Sequence, residues 1–434
     1  MLYHSLKNHR DLVSFEDAVL RGLSPDGGLY IPECIPKLKP QFFHNLSKYD
    51  IYAVSMTVIK PYIGKSIPEE SIYNIVHDTL NFPFPLKKIH DNIHVLELFH
   101  GPTLAFKDVG AEFMAGCLSF FSKKIGKKVT VLVATSGDTG GAVAKGFYKK
   151  PGIEVIILYP HNGISSLQEK QITTLGNNIL ALEIDGNFDD CQKMVKKAFL
   201  DKEVQKKYIL TSANSINVAR WLPQMFYYFL AYQQIPVDLI FSVPSGNFGN
   251  ICAGIIAEKM GLPIKFFIAS TNVNDTIPRF LKTGKYNPLP VKKTISNAMD
   301  ISDPSNFSRI WYLYEKNMFQ LREKLYSYQF TDEETLHIIE KVWNEYKYML
   351  DPHGAIGYLG LKQYLQEVKN IPSIAIFLET AHPIKFIDDM PFLLRKKIVF
   401  PKELEIFLSA KRKKQKISLS NDFSVFKNWL LERK

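Results

Sequence analysis

Two stretches decide the fold: VTVLVATSGDTGGAVAKGF at residues 129–147 and LIFSVPSGNFGNICAGIIAEKMG at residues 239–261. Each opens with a short, almost wholly apolar, β-branched run. Each then passes through a small-residue loop into a segment with helical patterning. Apolar runs of this length fit strands buried on both faces, as in a parallel sheet. A third stretch, SIAIFLETAHPIKF at 373–386, follows the same plan as far as a turn. Further runs of the same kind lie at Ile93–Phe99, Val155–Tyr159 and Lys265–Ala269. Between the runs lie helical segments at Gly110–Lys123, Thr139–Tyr148, Asp189–Phe199, Val218–Tyr232 and Asn250–Met260. Strands alternating with helices predict an α/β fold with right-handed crossovers. In such sheets ligands sit beyond the carboxyl ends of the strands, where the small-residue loops lie.

Outward from this centre the chain changes character. Residues 1–92 are mixed and punctuated by prolines, with helix-like patterning at Phe15–Arg21 and Glu69–Leu80 and a turn signal at Asp26-Gly27-Gly28. Residues 93–395 are read as a catalytic unit of two α/β lobes with the ligand in the cleft between them, and 396–434 as a short, basic, helical appendage. The 434 residues suffice for a large core, and 46% hydrophobic with 22% charged content is ordinary globular usage. Disordered, collagen-like and coiled-coil classes are thereby excluded. The net charge of +11 gathers in Lys123–Lys128, Lys145–Lys150, Lys193–Lys207 and KRKKQK at 411–416. No nucleic-acid-binding motif accompanies these clusters, so they are read as solvated faces and no nucleic-acid partner is expected. Cys34, Cys117, Cys191 and Cys252 are too far apart for a CxxC pair and are expected to be reduced thiols. No signal peptide, membrane span or metal-ligand set is visible, so a cytoplasmic protein without a membrane partner is expected.

The loops carry the chemistry. SGNFGN at 245–250 reads either as a phosphate cradle, with backbone N–H groups at a helix N-terminus, or as a tight strand–helix turn. It matches neither GxGxxG nor GxxxxGK[ST], which disfavours dinucleotide and P-loop sites. HGPTLAFKD at 100–108 sets Lys107 between Phe106 and Asp108 at the start of a helix. Desolvation there would free its amine as a nucleophile; the alternative is an ordinary surface lysine. NSINVAR at 214–220 offers Asn214, Ser215, Asn217 and Arg220 either to a dianionic phosphate or to a helix cap with a salt-bridged arginine. A reactive lysine, a phosphate loop and a second anion set together suggest a lysine Schiff base with pyridoxal phosphate.

With these residues in view, the sequence resembles the threonine synthases of the longer bacterial and fungal class, within the fold-type II pyridoxal-phosphate enzymes. The likeness runs nearly end to end: VSFEDAVLRGLSPDGGLYIP (13–32), HGPTLAFKD, TSGDTGGAVA (135–144), LYPHNGISSLQEKQ (158–171), TSANSINVAR (211–220), VPSGNFGN, ASTNVNDTIPRF (269–280), SNAMDISDPSN (296–306), DPHGAIGY (351–358) and TAHPIKF (380–386). The resemblance implies a tryptophan-synthase-β-like architecture. It implies that Lys107 holds the cofactor and moves protons, and that Gly246, Asn247, Phe248, Gly249 and Asn250 hold the cofactor phosphate. Many family members carry Asp in place of Asn250; a backbone contact survives that exchange, whereas a carboxylate-specific role does not. Thr380 would bond the pyridine nitrogen, and Lys385 would act electrostatically. Thr135, Ser136 and Thr139 would face the substrate, with Asp138 beside the cofactor's phenolic oxygen in a protonation state left open, because an ionised carboxylate cannot donate. Asn214, Ser215 and Arg220 would bind the substrate phosphate.

The implied reaction turns O-phospho-L-homoserine and water into L-threonine and phosphate, by γ-elimination and then β-addition of water. The implied assembly is a monomer or homodimer. The nearest alternative is another fold-type II lyase, a serine or threonine dehydratase or an amino-acid phospholyase, separated by its preference for unphosphorylated or different substrates.

Overall fold

The computed structural model describes residues 1–368, 373–401, 404 and 417–433. Its strands form three sheets. Near the N-terminus, β1 (Leu2–Ser5) lies between β2 (Val13–Ser14) and β3 (Tyr30–Pro32), paired antiparallel to both.

The larger lobe is built on a six-stranded sheet in the order β12-β11-β10-β13-β5-β4. Its strands are β4 (Leu86–His90), β5 (Ile93–Glu97), β10 (Leu239–Pro244), β11 (Ile264–Thr271), β12 (Leu325–Gln329) and β13 (Ile374–Glu379). All pairings are parallel except β4 with β5. The smaller lobe has a five-stranded, wholly parallel sheet in the order β14-β8-β7-β6-β9. It consists of β6 (Val129–Ala134), β7 (Ile153–Pro160), β8 (Ile179–Asp185), β9 (Ile209–Ser212) and β14 (Ile417–Ser420). Every residue of β6, β7 and β10 is buried, because helices cover both faces of a parallel sheet. The chain leaves the large sheet after β5, builds β6 to β9, and returns at β10.

One hydrophobic core runs from Tyr3, Phe15 and Val54 through Phe113, Val131 and Tyr159 to Phe226 and Phe241, so residues 1–92 share their interior with both lobes. Three details differ from the sequence reading. The helix expected at Val218–Tyr232 is broken into Val218–Trp221, a 3-10 turn at Leu222–Gln224 and Met225–Gln234. Pro223 sits at the break, where it has no N–H to continue the ladder. Residues 86–90 of the N-terminal region belong to the large sheet. The C-terminal appendage is not helical alone: Ile417–Ser420 is a strand on the edge of the small sheet, and the helix Phe423–Glu432 buries Phe426 and Leu430 against that lobe. The basic run 411–416 lies outside the described residues.

Candidate active site

The loops after β6, β10 and β13 and the segment after β5 meet in one cavity between the lobes. Its walls include Lys107, Ser136, Asp138, Thr139, Asn214, Ser215, Arg220, Gly246 to Asn250 and Thr380. Every site residue expected from the sequence lines it except Thr135, Asn217 and Lys385. The Thr135 hydroxyl is spent on the loop itself, accepting from the N–H of Gly137 at 2.9 Å and of Gly140 at 2.7 Å.

Lys107 is the first residue of the helix Lys107–Ile125 and no described residue accepts a hydrogen bond from its amine. Burial pushes its pKa down to about 8; Asp138 opposes this, and Lys385 and Arg220 reinforce it. Its neighbour Asp108 fixes the preceding turn by accepting from the N–H of Thr103 at 2.9 Å and from the Thr103 hydroxyl. Burial raises the Asp108 pKa to about 6.

Asp138 begins the helix Asp138–Gly146. Its Oδ1 is 2.6 Å from Nζ of the fully buried Lys385 and accepts from Gln168 Nε2 at 3.0 Å. Burial pushes the carboxyl up, but Lys385 and Lys107 outweigh it and hold Asp138 well below the usual carboxylate range. Asp138 is therefore ionised and can only accept.

The 246–250 loop opens the helix Gly249–Lys259. Phe248 takes a left-handed φ of 60°, which turns the chain into the helix. The backbone N–H groups of Gly246, Asn247, Phe248, Gly249 and Asn250 find no protein acceptor among the described residues. Their shared helix N-terminus suits an anion. The Asn250 side chain is turned inward, donating to Pro244 O at 2.8 Å and accepting from Ile251 N–H at 2.9 Å, so only its backbone is offered to a ligand.

Arg220 brings a second group of donors to the cavity. Its residue is 2% exposed, and Nε and Nη1 have no hydrogen-bond partner. Burial lowers its pKa to about 10, with Asp108 opposing, so it stays charged at neutral pH. Ser215 Oγ accepts from Asn306 Nδ2 at 3.1 Å, while Asn214 Nδ2 donates to Ala134 O at 3.0 Å and ties the segment to the end of β6. Asn217 does not reach the cavity: it caps the helix by accepting from Ala219 N–H at 3.0 Å and donates to Val19 O at 2.9 Å.

Several neighbours were not legible in the motifs. His353 lines the cavity and its Nδ1 is 2.6 Å from Asp351 Oδ1. Glu379 Oε1 accepts from Asp351 N–H at 2.5 Å, and its Oε2 is buried without a partner. Burial, then the Asp351 charge, pushes Glu379 well above the usual carboxylate range. Ala298, Met299 and Ile301 cover the 246–250 loop; a Cβ on Gly246 would lie 2.7 Å from Ala298 O. DPHGAIGY, SNAMDISDPSN and, for Glu379, SIAIFLETAHPIKF carry these residues, but none of these stretches alone states a contact.

The pyridoxal-phosphate-dependent enzyme family model matches residues 80–378, and the threonine synthase N-terminus model matches residues 2–80. Threonine synthase of Buchnera aphidicola subsp. Acyrthosiphon pisum is 44% identical over 440 residues, covering 100% of both chains. The crystal structure of threonine synthase from Escherichia coli superposes with a TM-score of 0.91 at 40% identity, covering 100% of each chain. The pyridoxal-phosphate-bound threonine synthase from Brucella melitensis gives 0.91 at 34% identity, covering 99% of each. The chain belongs to the threonine synthase family of pyridoxal-phosphate-dependent enzymes.

Proposed function

We infer that the chain converts O-phospho-L-homoserine and water into L-threonine and phosphate. The observation that carries this reading is an unpartnered lysine amine in one cavity with two sets of donors that no protein group satisfies, the N–H groups of residues 246–250 and the Arg220 guanidinium. Two phosphates, one from cofactor and one from substrate, match two donor sets. Pyridoxal phosphate fits the residues present: the 246–250 loop would hold its phosphate, Lys107 would be the attachment point for its aldehyde carbon, and Thr380 would meet its pyridine nitrogen.

Bound pyridoxal phosphate supplies a sink for negative charge at the substrate Cα. Lys107 moves the protons: it would take one each from Cα and Cβ, return one to Cγ after phosphate departs, and return one to Cα as water adds its hydroxyl at Cβ. A pKa near 8 suits this work, since the amine can both take and give a proton near neutral pH. Arg220 binds the substrate phosphate and stabilises it as it leaves; only interactions that strengthen toward the transition state lower the barrier. Ser136, Thr139, Asn214 and Ser215 orient the substrate, and Asp138 offers an acceptor beside Lys107. Closure of the two lobes would exclude water until phosphate has gone.

We also take the enzyme as a cytoplasmic monomer or homodimer; all four cysteines are free thiols. Among the described residues no helix is long and apolar enough to cross a membrane. The test is threonine and phosphate formation by purified protein loaded with cofactor. Equal yields of both are expected, with none from Lys107→Ala. Deamination of free serine or threonine in place of this reaction would move the assignment to a dehydratase.

A further inference from the structure

Beside the cavity lies an ion pair to which the reaction steps give no role. Lys385 follows β13, in the 3-10 turn Pro383–Phe386 of the large lobe. Asp138 belongs to the small lobe. Their ion pair of 2.6 Å is almost fully enclosed, with side-chain exposures of 0% and 4%. Lys385 Nζ also donates to Thr103 O at 3.0 Å, and Gln171 Nε2 donates to the same carbonyl at 3.3 Å. Gln168 holds Asp138 from the other side. The one carboxylate facing Lys107 across the lobes is thus bound by two other groups, and the Lys107 amine is left without a counter-ion.

We propose that Lys385 is a positioning residue acting through Asp138: it takes the charge of that carboxylate, and so keeps Asp138 from pairing with Lys107 and holding its amine protonated. The proposal rests on the reading of Lys107 as the reactive amine. Lys107, Lys385 and Asp138 have two ways to pair. In one, Asp138 joins Lys107, and the nucleophile is an ammonium ion held by a salt bridge. In the other, Asp138 joins Lys385, and Lys107 is the group that loses its proton. The geometry shows Asp138 paired with Lys385. The remaining charged or titratable groups around Lys107 are Arg220, Asp108 on its own helix, and His353 at the start of the helix Pro352–Glu367. Arg220 favours the free amine in the same sense as Lys385; Asp108 is engaged by Thr103.

The test reads the proton affinity of Lys107 directly. Full-length, cofactor-free protein is acetylated competitively with acetic anhydride across pH 6–11, and modification of Lys107 is followed by mass spectrometry. The wild-type midpoint is expected near 8. In Lys385→Met it is expected to rise by at least about one pH unit, cutting Lys107 reactivity at pH 7 about tenfold. Lys385→Gln, which can keep hydrogen bonds but not the charge, is expected to give the same rise and serves if the methionine variant does not fold. In an Asp138→Asn background the same Lys385 substitutions are expected to move the midpoint clearly less, because only the direct repulsion between Lys385 and Lys107 remains to be lost. Equal shifts in both backgrounds would show that Lys385 acts by direct repulsion and overturn the proposal, as would an unmoved midpoint in the single variants. A wild-type midpoint at the ordinary lysine value would instead sink the reading of Lys107 as a poised amine, and the proposal with it.

Discussion

Replacing Arg220 by methionine should harm catalysis and help the fold. The guanidinium is 2% exposed, and its Nε and Nη1 have no partners. A hydrogen bond to a charged group contributes about 1.5–3 kcal/mol, so two such bonds to a departing phosphate amount to about 3–6 kcal/mol. Removing them should lower kcat/KM on O-phospho-L-homoserine by about 10²- to 10⁴-fold. Much of the loss should fall on kcat, because the phosphate gains charge as its bond to Cγ breaks. In the ligand-free protein the same donors are a burden: a buried unsatisfied polar group costs about 1–3 kcal/mol. Methionine fills similar space without that cost. Thermal unfolding of the ligand-free variant should therefore rise, by about 2 °C for a relief of about 2 kcal/mol in a chain this long. The assays are steady-state kinetics with phosphate release and calorimetry without ligand. A kcat/KM within threefold of wild type would refute the anion-site argument. A melting temperature lowered by several degrees would show instead that Arg220 holds the fold.

Glu379→Gln should be nearly silent below about pH 4 and increasingly stabilising above the ordinary carboxylate pKa of about 4.3. The folded state holds this carboxyl well above its usual range, whereas the unfolded chain ionises it normally, so wild-type stability declines as pH rises past the ordinary carboxylate pKa. Melting curves from pH 5 to 8.5 should show a growing advantage for the variant, and a constant difference would count against the buried-acid reading. Deleting the chain from residue 417 onward should lower the melting temperature and promote self-association, because it uncovers the edge of β8 and removes the apolar cover of Phe426 and Leu430. Light scattering on heating checks this; unchanged melting and scattering would mean that the C-terminal pairing is dispensable.

The interior of both sheets was legible because β6, β7, β10 and β13 are continuous apolar runs, the pattern that burial on two faces imposes. Ile93–Phe99 and Lys265–Ala269, which hold β5 and most of β11, were legible in the same way, whereas β8 and the edge strands were not. β4 (LKKIH), β9 (ILTS), β12 (LYSYQ) and β14 (ISLS) lie at sheet edges, where half of each strand meets water and polar residues break the run. For the site, glycines, a lysine among apolar neighbours and an Asn/Ser/Arg set named the cavity's main walls. What stayed hidden depended on chain returns. Asp138 carries no sign that Lys385 is its partner, and Asp351 none that Glu379 lies against its backbone. Thr135 matched a ligand-facing motif, yet its hydroxyl closes its own loop. The same residue type serves either end, and only the backbone path decides which.

The strand at 417–420 has a consequence for how the molecule is made. Ser418 donates to Glu183 across 235 residues of chain. At about 5–20 residues per second on the ribosome, β8 waits on the order of 10–50 s for the segment that covers it. During that interval the small lobe presents an open parallel edge, while the large-lobe strands β10 to β13 are still emerging. The nascent chain thus holds half of its catalytic cleft on an unfinished sheet, and this interval is when chaperone engagement or mispairing would be decided.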